Sequence, residues 1–337
     1  MPRLGVTSLS YWLLSIAASP PAAIEPAMFF NRYNILRTIT VGIAAAVLLG
    51  SASSRAQPAD STVMFRFGVI SERLDDPAFV LAQYSKLLDA LSDRLKAAGI
   101  RMAPLVIARD LPDMANKLTA QQVDGFLDSV FPTLDLERRT GLMQPALVAW
   151  RKGQREYRSV IFSASQGPVA TLADLRGRTL VFESPRSTSA HALPKAFLRQ
   201  QGFTLFPADH AAIPADAIRY VFAGAELNQA YWVLHGKGDA AAFNDGDWER
   251  LPPPLRAQLR IIAQTPTLLR MLFSFRRGVS EATQTAIETA LVGMHDDPAG
   301  SEALLAASNI SKFERLTAAD NDQLAAWRTL LIAGDGD

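Results

Sequence analysis

Three consecutive hydroxyl residues, Ser187, Thr188 and Ser189, separate an apolar strand pattern (Arg178 to Phe182) from a helical one. In the latter, Leu193, Ala196, Phe197 and Gln200 recur at spacings of three and four. Hydroxyls at a helix start have two uses. One side chain can cap a backbone N–H of the first turn. The alternative is a cradle for an oxyanion, in which the unpaired N–H groups and the positive end of the helix dipole act with the hydroxyl protons and need no Lys or Arg. A single Ser or Thr is explained by capping; a run of three is harder to explain that way. His191, within a turn of the run, is a further candidate donor. Arg186 reads as a solvated side chain.

Other polar residues fall where strand patterns end, which is where open α/β sheets bind ligands. Asp128, Ser129 and Phe131 follow one such strand, Gly224, Glu226 and Asn228 a second, and Asn244 and Asp245 a third. Each has an ordinary alternative: Phe131 in the core, Glu226 as a helix cap, Asn244-Asp245-Gly246 as a turn. A carboxylate such as Asp245 beside an anion accepts from a ligand that carries a proton or an amine and repels a fully ionised one. Tyr157 and Tyr231 are secondary candidates.

Composition narrows the classes. The chain has 337 residues, a formal charge of +1 and no cysteine. Near-neutral charge gives no nucleic-acid footprint, so anion recognition must be local. Without cysteine there is no disulfide, thiolate metal site, thiol nucleophile or lipid-modified cysteine. His191, His210, His235 and His295 show no metal-ligand spacing. No G-x-S-x-G elbow, P-loop or dinucleotide fingerprint is present, and no base is indicated for Ser187 or Ser189, which argues against an enzyme. No cofactor is called for.

The run from Glu183-Ser184-Pro185-Arg186 through Ser187-Thr188-Ser189-Ala190-His191 to Pro194-Lys195 resembles the D-P-x-S-T-S-G-x-x-x-P-K segment of periplasmic phosphate, phosphite and phosphonate binding proteins of ABC importers. Asp128-Ser129-Val130-Phe131-Pro132, Tyr157 to Phe162, Leu172 to Gly177 and Gly238 to Phe243 fall in that family's order and spacing, over about residues 63 to 310. Ala190 departs from it, standing where the family has Gly; a position needing positive φ or very close approach would be altered by the Cβ. The resemblance implies a hinged, bilobed α/β fold that closes on a small oxyanion and delivers it to an inner-membrane permease. It also implies that the Ser129 loop faces the hydroxyl run across the cleft, with Phe131 as an aromatic wall. A periplasmic sensor feeding a membrane kinase is the alternative role. A monomer is expected, with no nucleic-acid partner.

The elements that must position these residues alternate between strand and helix, which indicates mostly parallel sheets with helices on both faces. Strands are expected at 65–70, 101–107, 123–127, 147–151, 157–163, 179–182, 218–222, 240–243, 260–263 and 269–275. The long helix carrying Val80, Tyr84, Leu87, Leu91 and Leu95 stops at Gly99, and the hydroxyl-loop helix is expected over Ala190 to Gln201. The C-terminus reads as helical at 301–307 and 320–331. Crossings near Val160 and Thr265 divide the chain into lobe one (63–165 plus 265–333, discontinuous) and lobe two (166–264).

Upstream, Met28 begins a basic segment, Ile39 to Leu49 is apolar but short for a membrane span, and Ser54-Arg55-Ala56 is a small-x-small cleavage pattern. Residues 1–56 thus read as an extension plus a cleavable signal directing the mature chain, from Gln57, to the periplasm.

Overall fold

The computed structural model describes residues 62–71 and 76–334. The expected start at Met28 and the leader ending at Ala56 lie outside the described residues. No helix among those described is long and apolar enough to cross a membrane.

The chain opens with β1 (Val63–Phe65) and β2 (Phe67–Ile70). Helix α1 (Pro77–Leu95) then starts on Asp76, whose side chain accepts from the Phe79 N–H, and buries Val80, Tyr84, Leu87, Leu91 and Leu95. Next come β3 (Ile100–Met102), β4 (Val106–Ala108), α2 (Leu111–Thr119), β5 (Gly125–Asp128), α3 (Val130–Thr140), β6 (Met143–Arg151) and β7 (Glu156–Tyr157). A second series follows: β8 (Ser159–Ala164), β9 (Thr179–Phe182), α4 (Leu193–Gln200), β10 (Leu205–Pro207), β11 (Ile218–Phe222), α5 (Glu226–Leu234), β12 (Ala240–Asn244), α6 (Asp245–Arg250), α7 (Pro253–Arg256) and β13 (Leu259–Gln264). The chain closes with β14 (Leu268–Leu269), β15 (Met271–Arg276), α8 (Glu281–Val292), α9 (Pro298–Ala306), β16 (Ile310–Arg315) and α10 (Ala318–Gly334).

Two six-stranded sheets result, ordered β16-β6-β15-β5-β2-β4 and β10-β11-β9-β12-β8-β13. β4, β2 and β5 run parallel in the first, and β10, β11, β9 and β12 in the second. The remaining pairings are antiparallel because β6, β8, β13 and β15 carry the chain between the sheets. Each sheet has its own apolar filling. Phe65, Phe67, Phe273, Phe275 and Phe313 pack the first against α1, α8 and α9; Phe162, Phe243 and Trp248 pack one face of the second, and Phe182, Leu180 and Leu198 the other.

Between the sheets the chain passes through a narrow ribbon. β7 pairs antiparallel with β14, Tyr157 opposite Leu268. Just beyond, the Ser159 N–H donates to Thr265 Oγ1 and the Thr265 N–H to the Ser159 carbonyl, both at 3.0 Å. The expected strand 157–163 is therefore two strands broken at Arg158, the second of which, β8, joins the second sheet. The expected strand 101–107 likewise divides into β3 and β4 around Pro104, whose missing N–H interrupts pairing. β16 lies between the two stretches read as helical, where no strand was expected: with few inward side chains and a register shift against β6, it has too weak an alternation to see in sequence.

Candidate functional site

Two loops at the carboxyl ends of strands meet between the sheets. Ser129 follows β5 and occupies the N-cap position of α3 with extended backbone, yet its side chain makes no capping bond. Its Oγ instead lies 2.8 Å from Thr188 Oγ1, on the loop after β9, and 3.1 Å from Asp128 Oδ1, to which it donates. Thr188 is buried. Two helix starts thus converge through two hydroxyls, bringing two positive dipole ends together, an arrangement that favours an anion between them.

The three hydroxyls of the run divide their work. Ser187 is the cap: its Oγ accepts from the Ala190 N–H at 3.1 Å. Thr188 reaches across to Ser129. Ser189 is anchored through its backbone, its carbonyl accepting from Ser159 Oγ at 2.5 Å. Among the described residues no carbonyl accepts from the Thr188 or Ser189 N–H groups, the orphan donors expected of a helix start.

The helix begins at Thr188, not Ala190, through a wide turn in which the Ala192 and Leu193 N–H groups donate five residues back, to the Ser187 and Thr188 carbonyls. Ala190 stands at the kink with φ −108° and ψ 15°, fully buried in the apolar filling of the second sheet. Its φ is negative, so the position requires no glycine.

His191 turns away from this convergence. Its ring sits among Phe182, Tyr220 and Phe222, with centroids 4.9, 5.8 and 5.1 Å away, and its Nδ1 donates to the Pro185 carbonyl at 3.0 Å. Burial drives its pKa down to about 4, so it is a neutral brace for the Glu183–Arg186 loop, not a charged donor. Phe131 is likewise core: 5% exposed, it packs against Trp327 at 5.6 Å, in a cluster that Leu193 joins from the other loop.

Acidic residues gather at the ends of β11 and β12. Asn244 is spent on capping α6, its Oδ1 accepting from the Asp247 N–H at 2.9 Å and its Nδ2 donating to the Asp247 carboxylate. Glu226 opens α5 and is pushed up to about 8, first by burial and then by its hydrogen bond to Asp247. Burial alone would raise Asp247, but the protonated Glu226, Arg250 and Lys152 outweigh it and hold that carboxyl well below its usual range. Asp245 accepts from Gln154 Nε2 at 2.9 Å, on the turn leading to the ribbon, with Arg158 4.0 Å away. That approach is close enough that a Cβ on Gly246 would meet Gln154 Oε1 at 2.7 Å.

Sequence reasoning missed several contributors. Gln229, fully buried on α5, donates from Nε2 to the carbonyls of Val181 (3.0 Å) and Ala242 (2.8 Å), holding β9, which carries the hydroxyl loop, to β12, which leads to Asn244. Arg186 is not simply solvated. It donates to the carbonyls of Ser71 (3.2 Å) and Arg109 (3.3 Å), at the ends of β2 and β4 on the opposite sheet. Arg270 is buried over the Tyr157 ring, 4.7 Å from its centroid; a lone Arg within Leu268-Leu269-Arg270-Met271-Leu272-Phe273 was the available signal. Among the described residues no group of three or more His, Asp or Glu can hold a metal ion.

Two mixed α/β sheets joined by a ribbon, with strand-end loops converging between them, define a bilobed periplasmic binding protein. Residues 67–322 match the family described as ABC transporter, phosphonate, periplasmic substrate-binding protein, and the chain belongs to that family. The family is extracytoplasmic and serves as the substrate-binding component of a transporter rather than as an enzyme. A comparison with curated proteins finds no match. Among solved structures, the chain is similar to a Xanthomonas citri protein bound to chloride (27% identity, TM-score 0.72, covering 80% of this chain and 98% of that one). The same protein bound to ATP matches at 26% identity and TM-score 0.72, with 80% and 97% covered. PhnD1 from Prochlorococcus marinus in complex with methylphosphonate shares the fold at 16% identity and TM-score 0.57, with 80% and 98% covered.

Proposed function

We propose that this chain captures a small phosphorus oxyanion, a phosphonate above all, where the starts of α3 and the Thr188 helix converge, and presents it to an inner-membrane permease. The observation that carries this reading is the 2.8 Å approach of Ser129 and Thr188 hydroxyls at two helix starts whose N-cap Ser129 is not used for capping. Two positive dipole ends with rotatable hydroxyl donors between them suit an ionised tetrahedral group and give no leverage on a neutral solute.

The ligand is bound and not transformed, by a monomer that needs no cofactor. The lobes hinge at the ribbon of β7 and β14, and the acids at the far end of the site, Asp245 and the Glu226–Asp247 pair, suit a ligand bearing an amine or a proton. In this reading the mature chain starts at Gln57 after export, which intact mass of periplasmic material checks.

A thermal-shift screen over phosphate, phosphite, methylphosphonate, aminoethylphosphonate, sulfate and ATP tests the assignment; ATP is included because the similar X. citri protein was solved with it. A phosphonate at 100 times its Kd should stabilise the protein by about 2.7 kcal/mol. Stabilisation by sulfate alone, or by ATP alone, would replace the phosphonate assignment.

A further inference from the structure

Arg270 stands at the junction of the lobes, between β14 and β15, with its backbone N–H donating to the Arg155 carbonyl at 2.8 Å. Only 6% of it is exposed. Its guanidinium lies over the Tyr157 ring, and among the described residues its buried Nε has no acceptor and no carboxylate lies within ion-pair distance of it. Arg276, at the end of β15 and only partly buried, is by contrast matched by Asp124 at 3.1 Å. A cation taken out of water without an anion destabilises a fold unless something else supplies the negative charge.

Among the described acids, Asp247 and Glu226 act on it electrostatically, both from the opposite lobe. Neither compensates it. Asp247 is already bound by Lys152 (3.3 Å) and Arg250, and Glu226 carries its proton in the bond to Asp247. Arg151, which also acts on it, donates to the Ser308 carbonyl (3.1 Å) and adds positive charge. The face of Tyr157 under Arg270 is part of the same cluster as Leu193 and Phe131, which flank the hydroxyl contact.

We infer that Arg270 is a ligand-charge residue: the ligand's second negative charge is its missing counter-ion, and it selects dianionic phosphonates over monoanionic sulfonates of the same shape. This rests on the phosphonate reading above and deepens it. Hydroxyls and helix starts accept either oxyanion, whereas a buried guanidinium rewards the extra charge.

The test compares wild type, Arg270→Met and Arg270→Lys as full chains, by calorimetric titration with methylphosphonate and methanesulfonate at pH 8 and by urea unfolding without ligand. Arg270→Met, which keeps an apolar stem over Tyr157, should lose at least ten-fold in methylphosphonate affinity and most of the preference over methanesulfonate, with folding stability unchanged or raised. Arg270→Lys should retain the preference. If Arg270→Met unfolds or is markedly destabilised, or binds methylphosphonate within two-fold of wild type, Arg270 is structural and the inference is overturned. Wild type that binds neither anion would instead overturn the phosphonate reading itself, and this inference with it.

Discussion

Ser129 Oγ and Thr188 Oγ1 approach to 2.8 Å from loops that belong to different sheets. Each hydroxyl is held by a backbone that does not depend on it: Ser129 sits at a helix start it does not cap, and the Thr188 turn is capped by Ser187. Position and chemistry are therefore separable at this site by mutation.

Thr188→Val keeps the branched shape and removes the hydroxyl. It should weaken methylphosphonate binding roughly ten- to hundred-fold, the worth of a hydrogen bond to a charged partner. Ser187→Ala should instead cost about 1 kcal/mol of folding stability, as an N-cap does. Calorimetry and urea unfolding on both variants decide: a Thr188→Val affinity within two-fold of wild type would end the assignment of Thr188 to the ligand.

Arg186 bridges the two sheets through the Ser71 and Arg109 carbonyls, and in the hinge reading proposed above an opening of the lobes would break both contacts. Ligand-driven closure gains from any contact unique to the closed state. Arg186→Ala should therefore raise the ligand dissociation rate several-fold and leave the association rate nearly unchanged, read by stopped-flow. Small-angle scattering should show compaction of wild type at ligand saturation; an unchanged radius of gyration would mean a rigid site.

Ala190 has negative φ and a fully buried methyl group. Ala190→Gly should lower stability by about 1 kcal/mol through chain entropy and lost packing. It should bring no gain in methylphosphonate affinity. A clear rise in affinity by calorimetry would show that the Cβ obstructs the pocket.

Glu226 is raised from 4.5 to about 8, so the folded state holds a proton that the unfolded state has released across that interval. Its favourable contribution is full below about 4.5 and is lost as pH rises through about 8. Glu226→Gln keeps a donor to Asp247 without the proton linkage, and its stability should fall less between pH 5 and pH 8, by on the order of 1 kcal/mol after allowing for the coupling within the pair. Equal slopes in urea unfolding would mean that Glu226 is ionised in the native protein.

The sequence by itself determined the alternation of strands and helices, the place of the hydroxyl run at a helix start, and the family, because each depends on local periodicity or on a contiguous motif. It could not decide which hydroxyl caps and which faces an anion: Ser187, Thr188 and Ser189 are chemically near-equivalent, and the turn that separates them is set by Ala190 packing into the second sheet. His191 and Phe131, polar and aromatic candidates in sequence, were withdrawn into the packing by neighbours such as Tyr220 and Trp327 that lie far off in the chain. The roles of Arg270 and Gln229 were likewise hidden, since an unmatched charge or a strand clasp is defined by what surrounds it. Burial and pairing are sums over residues brought together from both sheets, and only the tertiary structure performs that sum.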